Sequence, residues 1–203
     1  MMEPWLVRGF ARELAELIRD ERVYRHLHLP VQSGDDRVLK LMYRRYTVSQ
    51  FKELVSYFRK MVESVSIATD VIVGYPGEDE GAFQNTVRLV EEVKFDKVHV
   101  ARYTLRPFTP AYLMAQVPAH VKKARSKVLS EVVFRVTAEV NKRYVGSEAE
   151  ALVTDRGFKG RGFVARLSNY KPVVLQEELK VGERVKVRIV DATPIYLIGR
   201  TLD

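Results

Sequence analysis

Residues 66–103 read SIATDVIVGYPGEDEGAFQNTVRLVEEVKFDKVHVARY, and this stretch decides the fold. Its first part, Ser66–Val73, is rich in β-branched residues and is halted by Gly74 and Pro76, which predicts a strand. Ala82, Phe83, Thr86, Leu89, Val90 and Val93 then recur at helical spacing. Lys97–Tyr103 follows as a second short apolar run. A strand, a helix and a strand joined by crossovers of this length predict a right-handed βαβ unit in a parallel sheet.

The same alternation extends toward the N-terminus. Residues 8–20 place Phe10, Leu14, Leu17 and Ile18 on one helical face, and 23–29 read as a strand stopped by Pro30. Thr47 and Gln50 form a capping box that opens a helix whose buried stripe is Phe51, Leu54, Val55 and Phe58. Toward the C-terminus, a loop interrupted by prolines (105–118) leads to a long helix over about 119–143. Its expected stripe is Val121, Val128, Leu129, Val132, Val136 and Val140, and its other face is basic, with Lys122, Lys123, Arg125, Lys127, Arg135, Lys142 and Arg143. After Gly146 the texture changes to short alternating segments parted by Gly, Asp, Asn and Pro, as in a small antiparallel β-barrel. Two domains follow, 1–143 and 144–203.

Composition narrows the chemistry. The 203 residues hold 46% hydrophobic and 30% charged side chains, an ordinary globular balance. Lys and Arg outnumber Asp and Glu 34 to 26, and the resulting +8 favours a polyanionic partner. Cysteine is absent from the chain, so no disulfide, thiolate nucleophile or thiolate-held metal centre can be built from it. His26 and His28 share one strand face without metal-ligand spacing, and no metal site is expected. No apolar run is long enough for a membrane span, and there is no signal-peptide pattern.

In parallel sheets, ligands gather where the strands end and the βα loops begin. Three such loops carry polar content here. Leu29–Asp36 offers Gln32, Ser33 and a flexible glycine before a helix; Thr69–Glu78, with two glycines and a proline, allows close backbone approach; Arg102–Pro110 holds Arg106, suited to clamping a carboxylate or phosphate. Each could equally be turn and cap residues, and together they point to a ligand pocket without naming a reaction. In the last domain, residues 156–171 hold five Lys or Arg and no acid, as an RNA-contacting surface would. Tyr170 and Phe163 are candidates for stacking on unpaired bases.

Three motifs carry a resemblance: HLHLPVQSGDDRVLKLMYRRYT, TDVIVGYPGEDEGAF and RYTLRPFTPAYLMAQVPAHVKKARS. In this order they resemble the tRNA methylthiotransferases of the radical S-adenosylmethionine (SAM) superfamily, nearest the archaeal and eukaryotic branch that modifies N6-threonylcarbamoyladenosine at tRNA position 37. The stretch RGFKGRGFVARLSNYKPVVL looks like the TRAM domain of those enzymes. The resemblance implies an α/β fold: the C-terminal half of a partial (βα)6 radical SAM barrel of parallel strands, then an OB-like TRAM barrel. It also implies an S-adenosylmethionine site to which Gln32 and Ser33 contribute at the ribose or methionyl part. Asp70, Gly74 and Glu78 would lie along the adenosine, and Arg44 and Arg106 match the motif arginines, with Phe108 standing where the motif has glycine. Lys159, Arg161, Arg166, Asn169, Tyr170 and Lys171 would contact tRNA.

The family's [4Fe–4S] clusters sit on cysteines that this chain does not have, so the resemblance implies a fragment of a longer enzyme, a mis-started or split gene product, or a chain that works beside a partner. It would work beside the missing N-terminal half or a cluster-bearing partner. In the whole enzyme the adenosyl radical would abstract hydrogen from C2 of the modified adenine before a methylthio group is installed. The chain alone should be inactive, cytoplasmic, and prone to self-association through the open edge of its first strand, unless a helix covers that edge. A non-catalytic RNA-binding protein on the same scaffold is the alternative, and a nucleotide-binding domain unrelated to redox chemistry is a third.

Overall fold

The computed structural model describes residues 1–157 and 162–202. Three parallel strands, β1 (His26–His28), β2 (Ser66–Val73) and β3 (Lys97–Arg102), form a sheet in the order β1-β2-β3. His28 is level with Ala68, and Asp70 with His99. Six helices are described: α1 (Pro4–Val7), α2 (Ala11–Leu17), α3 (Asp36–Leu41), α4 (Val48–Met61), α5 (Glu80–Val93) and α6 (Ala119–Lys142). Leu27, Ile67, Val71 and Val73 join Phe51, Phe58, Val90 and Leu129 in one apolar core. Phe51, Phe58 and Phe95 are fully buried there, each contributing about 1.5–3 kcal/mol through burial. The opposite face of the sheet is polar and carries His26, His28, Asp70 and His99, as strand alternation requires.

The capping box forms as read: the Thr47 hydroxyl accepts from Gln50 N–H while the Gln50 amide accepts from Thr47 N–H. Three expectations are corrected. The helix over 8–20 is broken into α1, a 3-10 turn at Arg8–Phe10 and α2, because Gly9 is a poor helix former; Leu14 and Ile18 are buried, but Phe10 and Leu17 face solvent. β1 spans three residues rather than 23–29, since Val23 N–H closes a turn on Asp20 O and Arg25 N–H bonds Ser168 O. On α6 the buried stripe is Arg125, Leu129, Val133, Val136 and Val140, while Val128 is exposed.

The second body is a closed barrel of β4 (Glu148–Arg156), β5 (Phe163–Leu167), β6 (Pro172–Leu175), β7 (Arg184–Ala192) and β8 (Leu197–Thr201), ordered β4-β5-β6-β8-β7. Val153, Phe163, Leu167, Val173, Leu175, Ile189 and Leu197 fill it. It is mixed rather than wholly antiparallel. β7 pairs with β4, so β8 returns beside β6 in the parallel sense, with Val173 opposite Leu197. Irregularities at Val153/Asp155 and Ile189/Asp191 bend β4 and β7 enough to close the ring. Phe163 points into this core and is therefore not available for stacking on a base.

Candidate functional site

At the C-terminal rim of the sheet, the loop after β1 is fastened to β2. Thr69 Oγ1 donates to Leu29 O at 2.8 Å and accepts from Val31 N–H at 2.9 Å. The buried Tyr46 hydroxyl donates to Pro30 O at 3.0 Å, and burial pushes its phenol pKa above the ordinary value. Gln32 extends the ladder, donating N–H to Asp70 O and accepting from Ile72 N–H, with φ at 67°. Its amide Oε1 is buried and has no hydrogen-bond partner among the described residues. An acceptor left so is costly unless something else reaches it.

Ser33 is buried: its Oγ accepts from Asp35 N–H at 3.2 Å and lies 3.4 Å from Thr86 Oγ1. Gly34 N–H donates to Thr86 Oγ1, and a Cβ at Gly34 would sit 2.6 Å from Asn85 O and Thr86 Cα. The hydroxyl of Ser33 thus secures the loop on α5.

The loop after β2 is locked to α6. Glu78 is buried; its Oε1 accepts from Gly74 N–H at 2.9 Å and from Arg125 Nη1 at 2.8 Å, and Arg125 also donates to Glu78 O. Burial pushes the Glu78 carboxyl above its ordinary range, against the pull of Gly74 N–H and Arg125. Gly74 adopts φ 73° with Lys122 Cγ pressed where a Cβ would stand. Sequence reasoning assigned Arg125 to an exposed basic face; it is buried instead. Its spacing four before Leu129 and eight before Val133 extends the apolar stripe by one turn, and that was the available signal.

Asp70 faces the polar side of the sheet, where its Oδ1 lies 2.8 Å from His28 Nε2, and the His28 ring stacks on His99 at 5.6 Å. Arg44 is held by Glu3 at 2.7 Å, away from these groups. Arg106 is exposed on the loop after β3. The rim therefore joins Gln32 to Asp70 through the backbone and Gly74 to Glu78, while Arg44 is tied to the N-terminal segment.

Of the six residues read as RNA contacts, Lys159 and Arg161 lie outside the described residues. Arg166 stands 4.5 Å over the Tyr170 ring, which is partly exposed at φ 68°. Asn169 and Lys171 are corrected: both are buried at the junction between the barrel and the sheet. Asn169 Nδ2 donates to Ser64 O and Tyr144 Oη, and Asn169 O accepts from Ser66 Oγ. Lys171 Nζ reaches Asp96 Oδ1 at 2.8 Å and Asn141 Oδ1 at 2.7 Å. Beside this latch lies a cleft of about 610 Å³ bordered by His26, Lys97, Phe134, Arg166, Tyr170 and Tyr196. Burial holds the His26 imidazole pKa below its ordinary value, and His28 acts in the same direction.

Residues 4–90 match the radical SAM superfamily, and residues 142–202 match the TRAM domain. The chain is 41% identical over 202 residues to a probable threonylcarbamoyladenosine tRNA methylthiotransferase of Pyrococcus horikoshii, covering 100% of this chain and 47% of that protein. A relative of the same name in Methanothermobacter thermautotrophicus is 43% identical, covering 98% and 46%. The human threonylcarbamoyladenosine tRNA methylthiotransferase is 38% identical, covering 98% and 34%. The chain thus spans less than half the length of these curated relatives. Coproporphyrinogen III oxidase of Escherichia coli, a radical SAM enzyme, shares the fold with a TM-score of 0.51 at 15% identity, covering 94% of this chain and 45% of that one. A radical SAM segment is thus followed by a TRAM domain, and along its whole length the chain is similar to relatives that share the name threonylcarbamoyladenosine tRNA methylthiotransferase.

Proposed function

We propose that the chain supplies part of the S-adenosylmethionine pocket and the tRNA-gripping barrel of an enzyme that converts N6-threonylcarbamoyladenosine at tRNA position 37 to its 2-methylthio derivative. The observation that carries this reading is identity at 41% along the whole chain to relatives named for that activity. In this reading the chain works in the cytoplasm, where its tRNA substrate is.

The rim fits S-adenosylmethionine in part. The unpartnered Gln32 Oε1 would accept from a ribose hydroxyl or the methionyl ammonium, and the Asp70–His28 pair would border the ligand on the polar face of the sheet. Arg106 would clamp a carboxylate. Gly74 would keep the backbone low beside the adenosine, and Arg44 would act from outside by holding the N-terminal segment. Ser33 and Glu78 would shape the loops rather than touch the ligand, because their side chains are already spent on Asp35 N–H and on Gly74 and Arg125. When bound, S-adenosylmethionine supplies the radical that removes hydrogen from the adenine. An iron–sulfur cluster does not fit here: thiolates hold such clusters and the chain has no cysteine, so that part must come from other polypeptide.

The test is reconstitution. The purified chain should bind tRNA with affinity that falls as salt rises, and should form methylthio product only when a cluster-bearing N-terminal portion is added. Product from the chain with no other polypeptide would overturn the reading. The lack of cysteine also favours a second reading, a non-catalytic RNA-binding protein; it predicts no S-adenosylmethionine binding and no rescue by that portion.

A further inference from the structure

The loop after β3 carries Phe108 at φ 64°, a left-handed conformation that disfavours any side chain larger than glycine's. Its ring is fully exposed at 103%. The fold thus accepts two penalties at one residue, backbone strain and an aromatic ring left in water, with no packing gained in return. The turn is nonetheless well built: Thr109 Oγ1 donates to Arg106 O at 2.8 Å, and Tyr112 N–H donates to Thr109 O. Lys122 Nζ bonds Tyr103 O and lies over the Tyr103 ring, fixing the base of the loop. Leu113, 88% exposed, stands nearby in sequence.

Charge selects the partner. From Lys97 through Ser130 the sequence contains no Asp or Glu, and Arg102 and Arg106, six and two residues before Phe108, are exposed. A bare aromatic ring in a basic, acid-free stretch suits an unpaired base with its phosphates. We infer that Phe108 is a stacking platform for an unpaired base of a single-stranded RNA loop, with Arg102 holding a flanking phosphate. This rests on the RNA-binding part of the function proposed above and names a contact outside the barrel.

The test titrates the full chain against a fluorescently labelled RNA stem–loop and against the blunt duplex of its stem. Phe108→Gly should weaken stem–loop binding by about 5- to 100-fold, the range of one lost base–aromatic stack, and leave duplex binding unchanged. The same variant should unfold at a higher temperature, because glycine relieves the strain. Phe108→Trp should retain stem–loop affinity. Arg102→Gln should lower the salt slope by about one, while Phe108→Gly leaves it unchanged. Stem–loop affinity of Phe108→Gly within twofold of wild type would overturn the inference while leaving RNA binding intact. Wild-type chain that binds neither RNA would sink both. A loss that tracks loss of self-association in sedimentation would also overturn it, by assigning the ring to a protein contact.

Discussion

Replacing Lys171 with Met tests whether the barrel and the sheet behave as one unit. Lys171 is 5% exposed, and its ammonium is shared between Asp96 and Asn141. The substitution conserves most of the volume and removes the charge, leaving Asp96 Oδ1 and Asn141 Oδ1 without that donor at a largely buried site. Breaking a buried ion pair from one side costs about 3–5 kcal/mol. Asp96 Oδ2 still accepts from Ile67 N–H and Asn141 Nδ2 still donates to Thr193 O, so the lower end, about 3 kcal/mol, is expected. That loss falls on the docking of the two bodies, because each keeps its own apolar core.

Urea unfolding followed by two probes reads it. The single tryptophan, Trp5, reports the sheet body, and far-UV circular dichroism reports both. Coincident transitions in wild type should separate in Lys171→Met, and Asp96→Asn combined with it should recover most of the loss. An exposed control, Lys180→Met, should change little. If Lys171→Met costs under about 1 kcal/mol and the two probes still coincide, the buried-latch argument fails.

Further outcomes follow from the same geometry. Gly34→Ala should cost about 1–3 kcal/mol in thermal unfolding, since the new methyl meets the backbone of Asn85 and Thr86; an unchanged midpoint would refute that contact. Burial depresses His26, so the folded chain binds fewer protons than the unfolded one between that lowered pKa and about 6.5. Stability is therefore full above about pH 6.5 and falls as the pH drops through this window; His26→Gln should flatten the slope without abolishing it, because burial lowers His99 too. At the outer edge of β1, Met2 N–H already bonds His28 O, where a covering helix or a second chain was expected. Deleting residues 1–2 should increase self-association in sedimentation velocity, and an unchanged distribution would show that the edge is closed by other means.

How much of this was legible depends on range. β2, α5 and the capping box were readable because period, cap chemistry and stop signals all lie within a few residues of one another. Ser33 and Glu78 were visible as motif residues, but their bonding to α5 and α6 was not, since a motif string carries no partner information. Arg125 was misread because its charge outweighed its position on the stripe. Asn169 and Lys171 fooled the reading for a related reason: a run of basic residues looks like a nucleic-acid surface, and only the distant Ser64, Asp96 and Asn141 reveal a joint. The parallel pairing of β6 with β8 likewise depends on where β7 lies, which local patterning does not encode.

Five strands make a ring too narrow for a guest, and its centre is packed with valine, leucine and isoleucine, with Gly199 leaving room for Val173 and Leu175. Recognition by such a cylinder must happen on its skin, and the skin is two-sided. Along β4 and β7, Glu148 and Glu150 cancel Arg188 and Arg184 across the strands, so that flank offers a polyanion little attraction. On the other flank Arg166 lies over the Tyr170 ring and pairs with no acid among the described residues. An approaching nucleic acid therefore meets a handed object, repaid on one side and ignored on the other.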